Sequence, residues 1–187
     1  QVLARETERL AQLVGRAPAE HGPTDPTFTA APEASRRGTS PRLPAQPPRT
    51  EVVLLAQEVL SGHGALAAGR GVTLSLAGGS LSVAANDQAL RQVLVNLVQN
   101  ALEASPPGAE VVVTVSDDAV HVDDRGPGLS PDARLFESGY TTKSGGSGVG
   151  LVVARALAER MRARLSLANR EGGGCRATLR FLPPESP

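Results

Sequence analysis

The pattern of apolar and polar residues divides the chain near residue 50. Over residues 1–16 four apolar side chains share one face at helical spacing, which is typical of the end of an amphipathic helix: Leu3, Leu10, Leu13 and Val14. Residues 17–49 carry eight prolines and no periodicity. Such a composition buries too little apolar surface to offset chain entropy, so we expect a disordered or extended linker. A globular domain is expected over residues 50–187.

Helical and strand patterns alternate within that domain. Helices are predicted over residues 51–68, 87–104 and 148–161, the second capped by Asn86. Short strands are predicted over the following ranges: 72–76, 81–85, 111–115, 120–123, 164–168 and 175–182. We expect the first two strands to pair through a GGS turn and the next two to pair through a DD turn.

Three helices and paired strands favour an α/β sandwich with a mixed, mostly antiparallel sheet and the helices on one face. A doubly wound parallel sheet is disfavoured because strict β-α-β alternation is missing. The apolar face of the first helix is expected to hold Val53, Leu54 and Leu60. The core face of the second helix is expected to hold six residues: Leu90, Val93, Leu94, Leu97, Val98 and Ala101.

Composition narrows the classes of function. The chain lacks isoleucine and tryptophan and has four aromatic residues, so the core must be built from Leu, Val and Ala. A formal net charge of zero argues against nucleic acid as a partner. No apolar run approaches 18 residues, so we expect a soluble piece, and Gln1 suggests a fragment of something longer. Cys175, the lone cysteine, suits a reducing cytoplasm.

Two asparagines stand in the middle of the second predicted helix. Asn96 and Asn100 are four residues apart, so they lie one above the other beside the apolar face, and Glu103 continues the stripe. Because asparagine is a mediocre helix former, the pair needs a reason. Either it is the polar edge of a half-buried helix, or its amide oxygens meet Mg²⁺ or the phosphates that Mg²⁺ carries.

A second polar segment, VDDRGPGLS, follows the strand predicted over 120–123. Asp124 can accept N–H groups from the edge of a ligand, and Gly126 and Gly128 let the backbone turn sharply and approach that ligand. An ordinary Asp-Gly turn is the alternative.

A third segment, TTKSGGSGVGL, precedes the last predicted helix. Gly146, Gly148 and Gly150 lead into that helix, whose exposed N–H groups favour phosphate. Lys143 is the only lysine in a chain with 18 arginines, which argues against a chance surface charge. Its compact, mobile ammonium is suited to follow a phosphate. The spacing fits neither a Walker A loop nor the dinucleotide fingerprint.

The order of these segments resembles the GHKL superfamily, and within it the ATP-binding catalytic domain of bacterial sensor histidine kinases. RQVLVNLVQNALEAS resembles the N box, DDRGPG the G1 box, LFESGYTTK the F-box region, GSGVGL the G2 box and GGGCRATLRFLP the closing strand. The resemblance covers about residues 50–183 and implies a Bergerat-type two-layer sandwich. Two departures are Cys175, where Thr is common, and residues 161–163, where many members carry a glycine pair.

The resemblance implies roles for individual residues. Asn100 would ligate Mg²⁺ with Asn96 on the phosphate side, Asp124 would select adenine, and Lys143 would reach the terminal phosphates. Phe136, with Tyr140, would anchor a mobile lid over residues 129–147. The whole implied ATP site is Asn96, Asn100, Asp124, Gly126, Gly128, Phe136, Thr142, Lys143, Gly146, Ser147, Gly148, Val149, Gly150 and Leu151.

The implied function is transfer of the γ-phosphoryl group of Mg·ATP to a histidine. His21, His63 and His121 do not fit that acceptor, so we expect it on a dimerisation hairpin outside this chain, of which residues 1–16 would be the tail. The parent would be a homodimer with a cytoplasmic catalytic domain and a response regulator as partner. A regulatory ATP-binding module remains the alternative. A GHKL ATPase is disfavoured because those enzymes carry a catalytic glutamate where this chain has Asn96.

Overall fold

A computed structural model describes residues 49–130, 135–136 and 148–183. The expected helix over residues 1–16 lies outside this part of the chain, as does the expected linker except for Arg49. The described residues hold three helices: α1 (Val52–Arg70), α2 (Asp87–Ala104) and α3 (Gly150–Arg160). They also hold seven strands: β1 (Thr50–Glu51), β2 (Thr73–Gly78), β3 (Ser82–Val83), β4 (Glu110–Val115), β5 (Ala119–Asp123), β6 (Ala163–Asn169) and β7 (Cys175–Phe181).

Five strands form the main sheet in the order β2-β4-β5-β7-β6. The β2–β4 pair is parallel and the other three pairs are antiparallel, which confirms the predicted mixed, mostly antiparallel sheet. Alternate residues of β4 and β5 face the core together with the buried sides of the three helices. Among the largest fully buried side chains are Leu90, Leu94, Leu97, Val111, Val113, Val120 and Leu179. The core is therefore built from Leu, Val and Ala, as composition required.

The predicted hairpin of residues 72–76 and 81–85 is wrong. β2 continues to Gly78 and pairs in parallel with β4, whereas the second segment shortens to β3, which pairs with β1 in a separate two-stranded sheet. Gly78 has φ +105°, and a Cβ there would lie 1.9 Å from the Val115 carbonyl oxygen. This glycine therefore serves a close approach between parallel strands rather than a hairpin turn.

The first helix turns a different face to the core from the one expected. Five residues at helical spacing are buried: Val52, Leu55, Ala56, Val59 and Ala67. Val53 and Leu60 are only partly buried, and Leu54 is 60% exposed, so its placement on the core face is wrong. Among the described helices α1 alone is long and apolar enough to cross a membrane by length and composition. Its five buried residues pack in the domain core.

The second helix matches its prediction closely. Asn86 caps it, because the Asn86 side chain accepts a hydrogen bond from the Ala89 N–H at 2.9 Å. All six residues expected on its core face are buried. The helix ends at Ala104, just before the Pro106-Pro107 pair that prevents its continuation. This helix therefore presents the Asn96 and Asn100 stripe at a fixed edge of the core.

Candidate nucleotide-binding site

Asn96 joins the second helix to the start of the third. Its Nδ2 donates to the Gly150 carbonyl oxygen at 3.0 Å, and its Oδ1 accepts from Gln92 Nε2 at 3.2 Å. Gly150 is the first residue of α3 and follows the glycine-rich segment. The structure thus brings Asn96 beside the segment that was predicted to hold phosphate, although Asn96 is 54 residues away along the chain.

Asn100 lies one turn further along α2 and is half-buried. Its amide makes no hydrogen bond within the part of the chain that the structure describes. Its neighbour Gln99 instead pairs along the helix, donating from Nε2 to Glu103 Oε1 at 3.1 Å. A half-buried amide that no described residue engages offers its carbonyl oxygen to an external ligand.

Asp124 sits at the end of β5 and is only 8% exposed. Its Oδ1 accepts two backbone hydrogen bonds, from the Gly126 N–H at 2.8 Å and from the Cys175 N–H at 3.0 Å. Its main chain is held as well, since the Asp124 N–H donates to the Cys175 carbonyl at 2.9 Å. No described residue donates to Oδ2, which leaves one oxygen of a rigidly oriented carboxylate for a ligand N–H.

The two glycines of the G1 segment are each required by a close approach. A Cβ on Gly126 would lie 2.7 Å from the Ala104 carbonyl oxygen at the end of α2. A Cβ on Gly128, where φ is +80°, would lie 2.6 Å from Asn169 Oδ1. The loop is therefore packed between the end of α2 and the end of β6, and neither position tolerates a side chain without movement.

The glycine-rich segment leads directly into α3, which begins at Gly150 rather than at Gly148. Gly148 has φ +63°, a conformation that glycine adopts without strain. Val149 follows as the N-cap and has no side-chain acceptor, so the helix depends on other groups to satisfy its first N–H donors. Leu151 is half-buried and packs against the core, which anchors this end of the helix.

Phe136 is partly buried and packs against the core cluster. The Arg155 guanidinium carbon lies 4.9 Å from the centroid of the Phe136 ring, within the range of a cation–π contact. Arg155 Nε is in turn oriented by Glu159 Oε1 at 2.9 Å. Arg155 was not predicted from the sequence, because its contact with Phe136 joins two distant segments.

An ion cluster lies next to Asp124 and was also missed. Asp123 receives two hydrogen bonds from Arg176, Nε to Oδ1 at 2.7 Å and Nη2 to Oδ2 at 2.6 Å, and Arg170 Nε lies 3.5 Å from Oδ2. Burial raises the pKa of Asp123, but the hydrogen bonds from Arg176 and the charge of Arg170 outweigh burial and hold that pKa below its usual value. The sequence carries no local signal for this cluster, because Asp123 and Arg176 face each other only through the register of β5 with β7.

The side chain of Cys175 is inert in this setting. Burial, assisted by the charge of Asp124, raises the pKa of the Cys175 thiol to about 11. The residue thus contributes its backbone N–H to Asp124 while its sulfur stays protonated.

Four of the predicted ATP-site residues lie outside the described residues: Thr142, Lys143, Gly146 and Ser147. Tyr140 and most of the expected lid lie outside them too. The other predicted site residues come from α2, from the loop after β5, from residues 135–136 and from the start of α3.

The family profile of the histidine kinase-, DNA gyrase B- and HSP90-like ATPases matches residues 85–186, more than half of the chain. The chain belongs to this family. The matched region of this ATPase-family domain contains α2, the Asp124 loop and the start of α3, which confirms the GHKL resemblance and the use of ATP that the family implies.

The relatives of this GHKL domain are sensor kinases. It is 39% identical over 114 residues to sensor protein kinase PilS of Pseudomonas aeruginosa, a match covering 54% of this chain and 22% of PilS. It is 40% identical over 119 residues to sensor protein FixL of Bradyrhizobium diazoefficiens, covering 59% of this chain and 23% of FixL. The matched region thus spans less than a quarter of either relative.

Solved structures agree with the sequence relatives. The catalytic domain of histidine kinase ThkA superposes with a TM-score of 0.66 at 26% identity, covering 72% of this chain and 93% of the ThkA domain. Full-length ShkA in complex with AMPPNP gives a TM-score of 0.62 at 26% identity, covering 71% of this chain and 30% of ShkA. The predicted fold class, that of a histidine kinase catalytic domain, is therefore confirmed.

Proposed function

We propose that this chain is the catalytic part of a sensor histidine kinase, which binds Mg·ATP and transfers the γ-phosphoryl group to a histidine on a dimerisation hairpin of its parent protein. The observation that carries the proposal is a pair of oxygens that no described residue engages, Asn100 Oδ1 and Asp124 Oδ2, on two elements that meet at the core. The sensor-kinase relatives and the nucleotide analogue bound to ShkA support it.

The residues present fit a magnesium ion that arrives with its nucleotide. The half-buried Asn100 amide offers one hard oxygen ligand, and no cluster of three or more His, Cys, Asp or Glu side chains suited to a metal occurs among the described residues. Mg²⁺ is commonly bound through one or two protein oxygens, with water and phosphate oxygens completing its shell. When bound, the ion would neutralise charge on the phosphates.

Each part of the site has a separate task in this reaction. Asp124 would accept the exocyclic amine of adenine through Oδ2, while the Gly126 and Cys175 N–H groups keep the carboxylate in place. The N-terminus of α3 would face the phosphates, with Lys143 assigned to the terminal ones. Asn96 cannot take a proton from water at neutral pH, so this chain is expected to favour transfer over hydrolysis.

The proposal extends to location and partners. Catalytic domains of sensor kinases are cytoplasmic, and sensor kinases in general dimerise and address response regulators. We assign the same arrangement to the parent of this chain, with residues 1–16 as the tail of the hairpin. Because none of its three histidines suits the acceptor role, the chain by itself is expected not to phosphorylate itself.

The test combines binding with transfer. Calorimetry should show binding of ATP that is weakened by EDTA and by Asn100→Ala, whereas Gln99→Ala on the exposed side of the same helix should bind normally. Radiolabelled ATP should then label the parent hairpin when it is supplied as a separate polypeptide. ATP binding without any labelling would favour the regulatory module instead, and rapid phosphate release by the chain alone would favour an ATPase.

A further inference from the structure

Asn169, the last residue of β6, bonds to both backbone groups of Leu129. The Leu129 N–H donates to Asn169 Oδ1 at 2.5 Å, and Asn169 Nδ2 donates to the Leu129 carbonyl oxygen at 3.0 Å. An N–H can only donate and a carbonyl can only accept, so the two partners determine which way the amide points. Asn169 thus satisfies both backbone groups of Leu129, as a neighbouring strand would, although the two residues are 40 positions apart along the chain.

The same side chain explains the second glycine of the loop. Asn169 Oδ1 occupies the space that a Cβ on Gly128 would need, since the two atoms would lie 2.6 Å apart. Gly128, at φ +80°, is thus required where the backbone passes Asn169. Packing within the protein therefore requires glycine at position 128, independently of any bound nucleotide.

The neighbouring residue holds the other end of the loop. Arg170 Nη1 donates to the Asp124 carbonyl oxygen at 2.8 Å, and Arg170 Nε lies 3.5 Å from Asp123 Oδ2. Two consecutive residues at the end of β6 therefore bind the first and the last residue of the segment 124–129. A loop held at both ends has fewer conformations to lose when it binds a ligand.

We propose that Asn169 is a positioning residue that holds Leu129, the last residue of the segment 124–129. It thereby raises the affinity of the chain for adenine nucleotide without touching the nucleotide. This inference rests on the proposed ATP site. Because Asn169 is exposed, its two hydrogen bonds contribute little to global stability, whereas they restrict the loop directly. A purely structural role would instead change stability and affinity together.

The experiment compares Asn169→Ala with Ser166→Ala, an exposed residue of the same strand whose side chain makes no hydrogen bond among the described residues. Amide hydrogen exchange of the nucleotide-free chain should be about tenfold faster at Leu129 in Asn169→Ala and unchanged in Ser166→Ala. The dissociation constant for Mg·ATP should rise about tenfold in Asn169→Ala alone. The midpoint of urea unfolding should stay close to that of the unaltered chain.

The remaining outcomes separate the role of Asn169 from the proposed ATP site. Unchanged exchange at Leu129 would show that the side chain does not hold the loop and would overturn the inference. Faster exchange with unaltered ATP affinity would overturn the positioning role alone. A large loss of stability in parallel with affinity would also overturn it. Failure of the unaltered chain to bind Mg·ATP would overturn the proposed function, and the positioning role with it, while the exchange result would still decide whether Asn169 holds Leu129.

Discussion

The carboxylate of Asp124 gives the sharpest test of the site, through the substitution Asp124→Asn. Only one oxygen changes its hydrogen-bonding character in this variant. The remaining Oδ1 still accepts from the Gly126 and Cys175 N–H groups, so the amide orients with its oxygen toward them. Its NH₂ group then occupies the position of Oδ2, where a donor would face the donor amine of adenine.

The expected loss of affinity follows from that replacement. A hydrogen bond to a charged group contributes about 1.5–3 kcal/mol, and each 1.4 kcal/mol is about tenfold in the dissociation constant. The variant should therefore bind ATP roughly ten- to 150-fold more weakly and lose its preference for ATP over GTP. Calorimetric titration with both nucleotides measures this, and circular dichroism with thermal unfolding checks that the fold is retained. Equal ATP affinity in a well-folded variant would refute the assignment of Asp124 to adenine.

Three further predictions concern the surroundings of the site. Arg162 has φ +56°, a conformation that glycine adopts with less strain than other residues, so Arg162→Gly should be more stable to urea than Arg162→Ala by about 1 kcal/mol; equal stabilities would show that the backbone there is unstrained. Because the pKa of Asp123 lies below its usual value, its contribution to stability is present above about pH 3.9 and is lost as pH falls through the folded pKa. Urea unfolding of Asp123→Asn should accordingly depend less on pH in that range than unfolding of the unaltered chain, and parallel curves would contradict the shift. Cys175, with a pKa of about 11, should resist Ellman's reagent at about pH 8 until urea unfolds the chain, and rapid modification of the folded chain would disprove its burial.

The features that sequence predicted well are local ones. The second helix was predicted with its cap and its end because Asn86, the apolar spacing and Pro106 all act within a few residues of the structure that they determine. The positions of Asn96 and Asp124 followed from the same local reasoning together with the order of the four boxes. The start of α3 was predicted because a glycine run and helical spacing meet there.

The features that sequence missed are decided by distant partners. β2 and β3 resembled a hairpin, but the strand partner of β2 is β4, on the far side of α2 along the chain. Nothing local distinguishes a GGS segment that turns a hairpin from one that leads into a parallel crossover. Asn169 and Arg170 carry no motif of their own, and their role appears only once β6 lies beside the Asp124 loop.

The short β1–β3 sheet joins the first described residues of the domain to the segment just before α2. Thr50 pairs with Val83, and its hydroxyl donates to the Ala85 carbonyl oxygen at 3.0 Å, immediately before the Asn86 cap of α2. The first strand of the domain is therefore joined directly to the base of the helix that carries Asn96 and Asn100. A displacement of Thr50 would thus reach the start of α2 through two short strands and one cap.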